Sequence, residues 1–90
     1  MSGKKGLMTI LLLAVWGCGE QVERLAPVPL DQLPPGSMDA ATQALPDVKF
    51  DRARKAKFNG LDAYEIIGKD KRGKIREVEV STSGQLLEIE

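Results

Sequence analysis

Side chains capable of covalent or metal chemistry are few in this 90-residue chain. It contains one cysteine, Cys18, and no histidine. A disulfide within the chain, a nucleophile activated by a histidine base and the usual zinc ligand sets are therefore excluded. No nucleophile, base and orienting residue can be assembled from the remaining types. The sequence predicts a protein that is not an enzyme, with no metal site and no cofactor.

Cys18 follows a segment that has the composition of an export signal. Lys4 and Lys5 give it a positive start, and an apolar run of about ten residues, 7–16, leads to Gly17. A membrane-spanning helix needs ~20 apolar residues, so this run is long enough for a signal peptide and too short to remain as an anchor. An unpaired cysteine at the end of such a segment points to modification of its thiol.

The stretch Val15-Trp16-Gly17-Cys18 resembles the lipobox of bacterial lipoproteins, with Trp16 larger than is usual at its position. The resemblance implies cleavage between Gly17 and Cys18, removal of residues 1–17 and acylation of Cys18 with fatty acids such as palmitate. Each buried methylene contributes ~0.8 kcal/mol, so two or three chains anchor stably to a lipid membrane. Gly19 stands where lipoproteins retained at an inner membrane commonly carry aspartate, which favours the outer membrane in a cell with two. The alternatives are an ordinary secretory signal and a retained anchor.

Residues 18–29 are predicted to form the lipidated cysteine and a flexible tether. The segment shows neither a helical nor an alternating apolar pattern, and Pro27 and Pro29 exclude helical backbone at the residues before them. Fully extended, residues 20–29 of this segment would hold the domain at most about 35 Å from the lipid.

Residues 30–90 are predicted to form one α+β domain, a short helix packed on a four-stranded antiparallel meander. Pro34-Pro35-Gly36-Ser37 marks the helix start, and Met38, Ala41 and Leu45 form one apolar stripe before Pro46. Turn signals at Asn59-Gly60, Gly73 and Gly84 divide the rest into strands over about 48–58, 61–67, 74–80 and 85–90.

Alternation along the later strands predicts the two faces of the sheet. Apolar residues two apart are expected to face the helix, and the predicted core comprises Leu45, Tyr64, Ile66, Val78 and Leu87, with Val80 and Ile89 on the same face. The glutamates between them, Glu65, Glu77, Glu79 and Glu88, are expected to point to water. The first strand has the wrong parity for this scheme, which predicts a bulge in the first hairpin.

Several short segments of this domain resemble PepSY-type domains, the family related to beta-lactamase inhibitor protein. They are Leu30-Asp31-Gln32-Leu33-Pro34 before the helix, Ala44-Leu45-Pro46-Asp47 after it, the strand from Gly60 to Ile66, and the last hairpin with Glu77-Val78-Glu79-Val80 and Gly84-Gln85-Leu86-Leu87-Glu88-Ile89. The resemblance covers about two thirds of the chain. It implies an α+β unit whose role is to bind and restrain other proteins, including peptidases.

Charged residues offer candidate contacts for such a partner. The first strand is basic, including Lys55, the second turn carries Arg72 in a basic cluster, and the last hairpin is acidic, including Glu79. With Tyr64, these are the candidate contact residues, although a core role for Tyr64 and solubilising roles for the charges are the alternatives. In a four-stranded meander the basic and acidic strands would be opposite edges. Calcium held by Glu77, Glu79 and Glu88 is a minor alternative, since their spacing matches no known loop of oxygen ligands.

The predicted function follows from these observations. Without residues 1–17, eleven basic and thirteen acidic residues remain, a net charge of −2, and the sequence has few aromatic residues, so nucleic-acid binding is not expected. We expect a non-catalytic PepSY-like binding module, exported and tethered to the cell envelope, which restrains or modulates a peptidase or another envelope protein. The alternative is a structural or ion- or polymer-binding envelope lipoprotein without a regulatory role.

Overall fold

The computed structural model describes residues 21–90, and the predicted signal peptide, its Gly17-Cys18 cleavage site and the lipidation site lie outside them. Its strands are β1 (Val22–Val28), β2 (Lys49–Phe58), β3 (Leu61–Lys69), β4 (Ile75–Ser81) and β5 (Leu86–Ile89). They form one antiparallel sheet in sequence order. A 3-10 turn (Leu30–Gln32) and the helix α1 (Ser37–Ala44) connect β1 to β2.

The predicted antiparallel sheet with one short helix is confirmed, but the sheet has five strands instead of four. No helix within the described range is long and apolar enough to cross a membrane.

The tether predicted for residues 18–29 is wrong over β1. Its residues pair with β2 from Val22 opposite Phe58 to Val28 opposite Ala53, with an irregularity between Arg24 and Pro27. Proline is tolerated there because β1 is an edge strand with a bulge, where one backbone N–H needs no partner in the sheet. Only the two end residues of β1 are even half-buried, which explains why no alternation marked it as a strand.

Glycines close the three hairpins as predicted. Asn59 and Gly60 both have positive φ (50° and 83°), as the tight turn between paired Phe58 and Leu61 requires. At the second hairpin the Asp70 carboxylate accepts the N–H groups of Arg72 and Lys74, each at 2.9 Å, so this turn is held by its own side chain.

The bulge expected in the first hairpin is present, between Phe50 and Arg52 of β2. It turns Phe50 onto the helix side of the sheet, where Phe50 packs against the core, and leaves Ala56 on the opposite face. Phe50 pairs with Gly68, where a β-carbon would overlap the Lys49 carbonyl and lie 2.7 Å from the Phe50 Cα. Only glycine therefore fits beside the bulge.

The core lies between α1 and the sheet. Its buried members are Ala41, Ala53, Ile66, Val78 and Val80, with Met38, Leu45 and Phe50 among the half-buried residues packed around them. Ile66, Val78 and Val80 are confirmed as core residues, whereas Tyr64 and Leu87 are only half-buried and Ile89 is 41% exposed. The helix packs on β4 and β5, away from the part of the sheet that carries Tyr64. Leu87 is left out of register by an irregularity in the β4–β5 pairing.

Candidate functional site

The face of the sheet opposite α1 carries five glutamates. Strand register places Glu65, Glu79 and Glu88 side by side on β3, β4 and β5, with Arg54 next to Glu65 on β2. Glu77 lies on the same face of β4, and its backbone exchanges two hydrogen bonds of 2.8 and 2.7 Å with Glu90. We call Glu65, Glu77, Glu79, Glu88 and Glu90 the carboxylate cluster.

The expectation that Glu65, Glu77, Glu79 and Glu88 point to water is wrong for two of them. Glu65 and Glu79 are both 0% exposed, and Glu88 is half-buried. Glu79 was also a candidate partner contact, and full burial removes it from that set. Sequence alternation correctly separated the faces but assumed that the face opposite the helix is open, whereas neighbouring side chains cover its centre.

Arg24 of β1 reaches across this face into the carboxylate cluster. Its Nε lies 3.0 Å from Glu65 Oε2, and its Nη2 lies 3.2 Å from Glu77 Oε1 and 3.4 Å from Glu90 Oε1. In a flat sheet β1 and β5 would be about 19 Å apart, from four intervals of ~4.8 Å, too far for these side chains to meet. The sheet therefore twists and curls strongly toward this face.

Alanines make room for Arg24 to cross the sheet. Arg24 pairs with Ala56, and Ala56 pairs with Ala63, so the strands next to Arg24 carry only methyl groups at this level. Both alanines are almost fully buried. The role of Arg24 was missed at the sequence level because it lies in a segment interpreted as a tether. The pattern of glutamates could have indicated such a cation, because glutamates side by side on neighbouring strands repel one another unless a positive charge lies between them.

Burial and crowding raise the pKa of two carboxyl groups in the cluster. The pKa of Glu65 is raised, mainly by burial and then by Glu77, while Arg24 and Arg54 oppose the effect. The pKa of Glu79 is raised to about 9 by burial, by a hydrogen bond to the Glu90 side chain and by the charges of Glu90, Glu65 and Glu88. Glu79 is therefore a neutral acid at pH 7, and the proton it carries is the donor toward Glu90.

A second feature is a cleft on the helix side of the sheet, where α1 does not reach. Lys55 and Tyr64 are cross-strand partners and line it together with Leu25, Asp62 and Thr82. Its volume is about 170 Å³. The structure thus brings together two of the four candidate contact residues, Lys55 and Tyr64. Tyrosine is enriched at protein contact surfaces because its ring is apolar and its hydroxyl polar, whereas lysine is depleted there.

The remaining charged candidates lie elsewhere. Arg72 lines a separate cleft of about 370 Å³ beside Leu45, Asp47 and Arg76. The predicted basic edge strand is wrong, because β1 covers β2 and two of its cations are paired within the sheet. Lys57 lies 3.1 Å from Asp62, and Arg54 lies 3.7 Å from Glu65. The basic and acidic strands are therefore not opposite edges.

No family model, curated protein or solved structure matches this chain. The PepSY resemblance therefore depends on the sequence segments that carry it, and it enters the functional argument only as a proposal.

Proposed function

We propose that the mature protein is a non-catalytic binding module, tethered to the cell envelope through acylated Cys18, that contacts an envelope protein through the cleft of Lys55 and Tyr64. The observation that carries the proposal is the part of the sheet left uncovered by α1. There Tyr64, Lys55 and Leu25 line one surface without being part of the core. The PepSY resemblance suggests a peptidase as the class of partner, an inference by analogy.

The composition of the cleft supports a protein partner. Leu25 is 39% exposed on the edge strand, and Tyr64 presents a half-buried ring with a polar hydroxyl. Such aromatic residues contribute most to binding when they are desolvated in a partner's pocket. Lys55, the cross-strand partner of Tyr64, and Asp62, two residues before it on β3, supply charges of both signs. Such charges orient a partner more than they strengthen its binding.

Photocrosslinking in living cells tests this proposal. A photoreactive amino acid replaces Thr82, which is exposed and lines the cleft, so that Lys55 and Tyr64 stay intact. We expect one discrete adduct with an exported protein, and a loss of about tenfold when Tyr64→Ser is added, corresponding to ~1.4 kcal/mol. The matched control places the same amino acid at exposed Asp51 on β2, where no adduct is expected.

The identity of the adduct decides between the leading function and its alternative. If the adduct is a peptidase, its activity measured with and without the purified protein tests whether binding restrains it. Absence of a discrete adduct at position 82, or an adduct that Tyr64→Ser leaves unchanged, contradicts the proposed contact surface. In that case, retention of the purified protein on envelope polymers would favour a structural, polymer-binding lipoprotein.

A further inference from the structure

Three apolar side chains lie side by side at one end of the sheet, on the face opposite α1. Val22 of β1 pairs with Phe58 of β2, and Phe58 pairs with Leu61 of β3. Because side chains two apart on a strand share a face, Leu61 lies on the same face as Glu65. We call Val22, Phe58 and Leu61 the apolar row.

The apolar row is poorly covered by the rest of the domain. Leu61 is 66% exposed, more than any other large apolar side chain of residues 21–90, and Val22 and Phe58 are half-buried. The helix α1 packs on β4 and β5 from the other face, so it does not cover the row. A single exposed leucine is ordinary in a folded protein. The position of the row relative to the lipid therefore decides what covers it.

The chain before β1 holds the apolar row close to the lipidation site. The Gln21 N–H donates to Asn59 Oδ1 at 2.9 Å, and the Asn59 N–H donates to the Gln21 carbonyl at 2.8 Å. These bonds fix the start of β1 against the turn between Phe58 and Leu61. Three residue steps join Cys18 to Gln21, and at ~3.3–3.6 Å per residue they span at most about 11 Å. Lipid on Cys18 would therefore bring the row to the headgroups.

A basic cluster lies at the opposite end of the sheet. Its members are in the turn between β3 and β4 and beside it, and they are Lys69, Lys71, Arg72, Lys74 and Arg76. Eight residues of β3 separate this cluster from Leu61, about 26 Å at ~3.3 Å per residue. Beside the apolar row, Lys57 is paired with Asp62 at 3.1 Å. The end next to Cys18 is thus suited to lipid through apolar side chains, and the far end through charge.

We propose that the apolar row inserts into the headgroup layer of the membrane that holds Cys18, so that the strands stand up from the lipid. The contact depends on the acylation of Cys18 and so rests on the proposed function. Three side chains are too few to hold the domain by themselves, since even a myristoyl chain binds only marginally. Their role is to orient the anchored domain. Tyr64 lies three residues along β3 from Leu61, about 10 Å, which places the cleft of Lys55 and Tyr64 just above the headgroups.

Tryptophan fluorescence of the acylated mature protein in vesicles tests this orientation. The one tryptophan of the chain, Trp16, leaves with residues 1–17, so an introduced tryptophan reports on its own position alone. Leu61→Trp keeps an apolar side chain in the row. Ile75→Trp is the matched control, because Ile75 is 51% exposed and begins β4 at the opposite end of the sheet. The vesicles contain phosphatidylcholine and anionic phosphatidylglycerol, with or without bromine on the acyl chains, so the apolar and basic ends compete for lipid.

We expect the emission of Leu61→Trp to shift to shorter wavelength when the protein is reconstituted. In brominated vesicles it should lose about twofold or more of its intensity, because a side chain at the boundary of headgroups and acyl chains lies close to the bromine. The emission of Ile75→Trp should show neither change. Circular dichroism spectra establish that both variants are folded.

The outcomes distinguish this contact from the anchor and from the cleft. Flotation with vesicles and the mass of the N-terminal peptide report on the anchor, and a protein that does not float overturns the anchor and the contact together. If the protein floats, quenching at position 75 that equals or exceeds quenching at position 61 overturns the contact alone. A shift at position 61 without quenching by bromine also overturns it, and assigns the apolar row to a second copy of the chain. Crosslinking at position 82 tests the cleft separately.

Discussion

Two buried glutamates, Glu65 and Glu79, are neutralised by different means. Glu65 lies 3.0 Å from Arg24 and 3.7 Å from Arg54, so guanidinium groups offset part of its desolvation. Glu79 has no such partner and becomes neutral by holding a proton. Burying an unpaired charge in so small a domain would remove much of its stability, which is only ~5–15 kcal/mol for typical proteins. At the centre of this face, Glu65 is therefore paired with arginine side chains, whereas Glu79 is a neutral acid.

Stability should depend on pH through Glu79. Its folded-state pKa of about 9 exceeds that of an unfolded glutamate, ~4.3, so the folded chain holds a proton that the unfolded chain has lost. The free energy of unfolding should therefore fall as pH rises from about 5 to about 9. The groups facing Glu79 are Glu65, Glu88 and Glu90, and Glu65, with its raised pKa, acts in the same direction.

Glu79→Gln, which stays neutral, should reduce this dependence on pH. We expect the variant to exceed the wild type in stability by about 1–3 kcal/mol near pH 9. At that pH the buried Glu79 side chain of the wild type begins to lose its proton and would leave a negative charge in the interior. Urea midpoints at pH 5, 7 and 9 measure the effect. Parallel pH profiles for the two proteins would show that Glu79 does not hold the proton.

Arg24 should matter more to stability than its partial exposure suggests. Arg24→Met keeps the length of the side chain but leaves Glu65, Glu77 and Glu90 without their shared cation. We expect a loss of about 1–3 kcal/mol, below the 3–5 kcal/mol of a fully buried pair because the Arg24 side chain is 41% exposed.

The matched control for that variant is Arg52→Met. The Arg52 guanidinium lies 3.3 Å from Asp51, and both side chains are more than half exposed, so the loss should stay below ~0.5 kcal/mol. Equal denaturant midpoints for the two variants would contradict the role assigned to Arg24.

At the scale of elements, the features predicted correctly are those with a local backbone cause. Asn59-Gly60 and Gly73 require positive φ, and Pro34 to Ser37 begin a helix, so these positions could be read from the chain. The strand β1 could not, because its residues face water on the edge and its partner strand follows 21 residues after its end. The burial of Glu65 could not either, since the Arg24 side chain that contacts it lies 41 residues away in the sequence. Glu79 lies between Glu65 of β3 and Glu88 of β5, so its surroundings also come from other strands.

The domain boundary predicted at residue 30 should fail in practice. A chain starting at Gln21 keeps β1 and the two hydrogen bonds between Gln21 and Asn59, at 2.8 and 2.9 Å. A chain starting at Leu30 loses β1 and Arg24, exposes the edge of β2 and leaves Glu65 beside a single guanidinium. We expect residues 21–90 to show a cooperative unfolding transition and residues 30–90 to be unfolded or aggregated by circular dichroism. Equal stability of the two chains would restore the interpretation of residues 22–28 as a tether.

For the whole molecule, β1 changes where the domain lies relative to the membrane. Residues 20–29, as a fully extended tether, allowed a separation of about 35 Å. In the structure only residues 19–21 separate Cys18 from β1. At ~3.3–3.6 Å per residue, these four steps span at most about 14 Å. With Cys18 as the lipid anchor, the domain is held next to the headgroups. A partner that binds the cleft of Lys55 and Tyr64 would then lie close to the membrane surface.

Lipid on Cys18 is the condition for this arrangement and can be tested directly. We expect the exported protein to partition with membranes and detergent, and its N-terminal peptide to carry the mass of an acylated cysteine. A variant with Cys18→Ser and an ordinary secretory signal in place of residues 1–17 should instead be soluble after export. Its urea midpoint should equal that of the anchored protein, because Arg24 and every strand of the sheet lie beyond the change. Membrane partitioning of this variant, or an unmodified Cys18 in the wild type, would mean that the chain is held by some other contact.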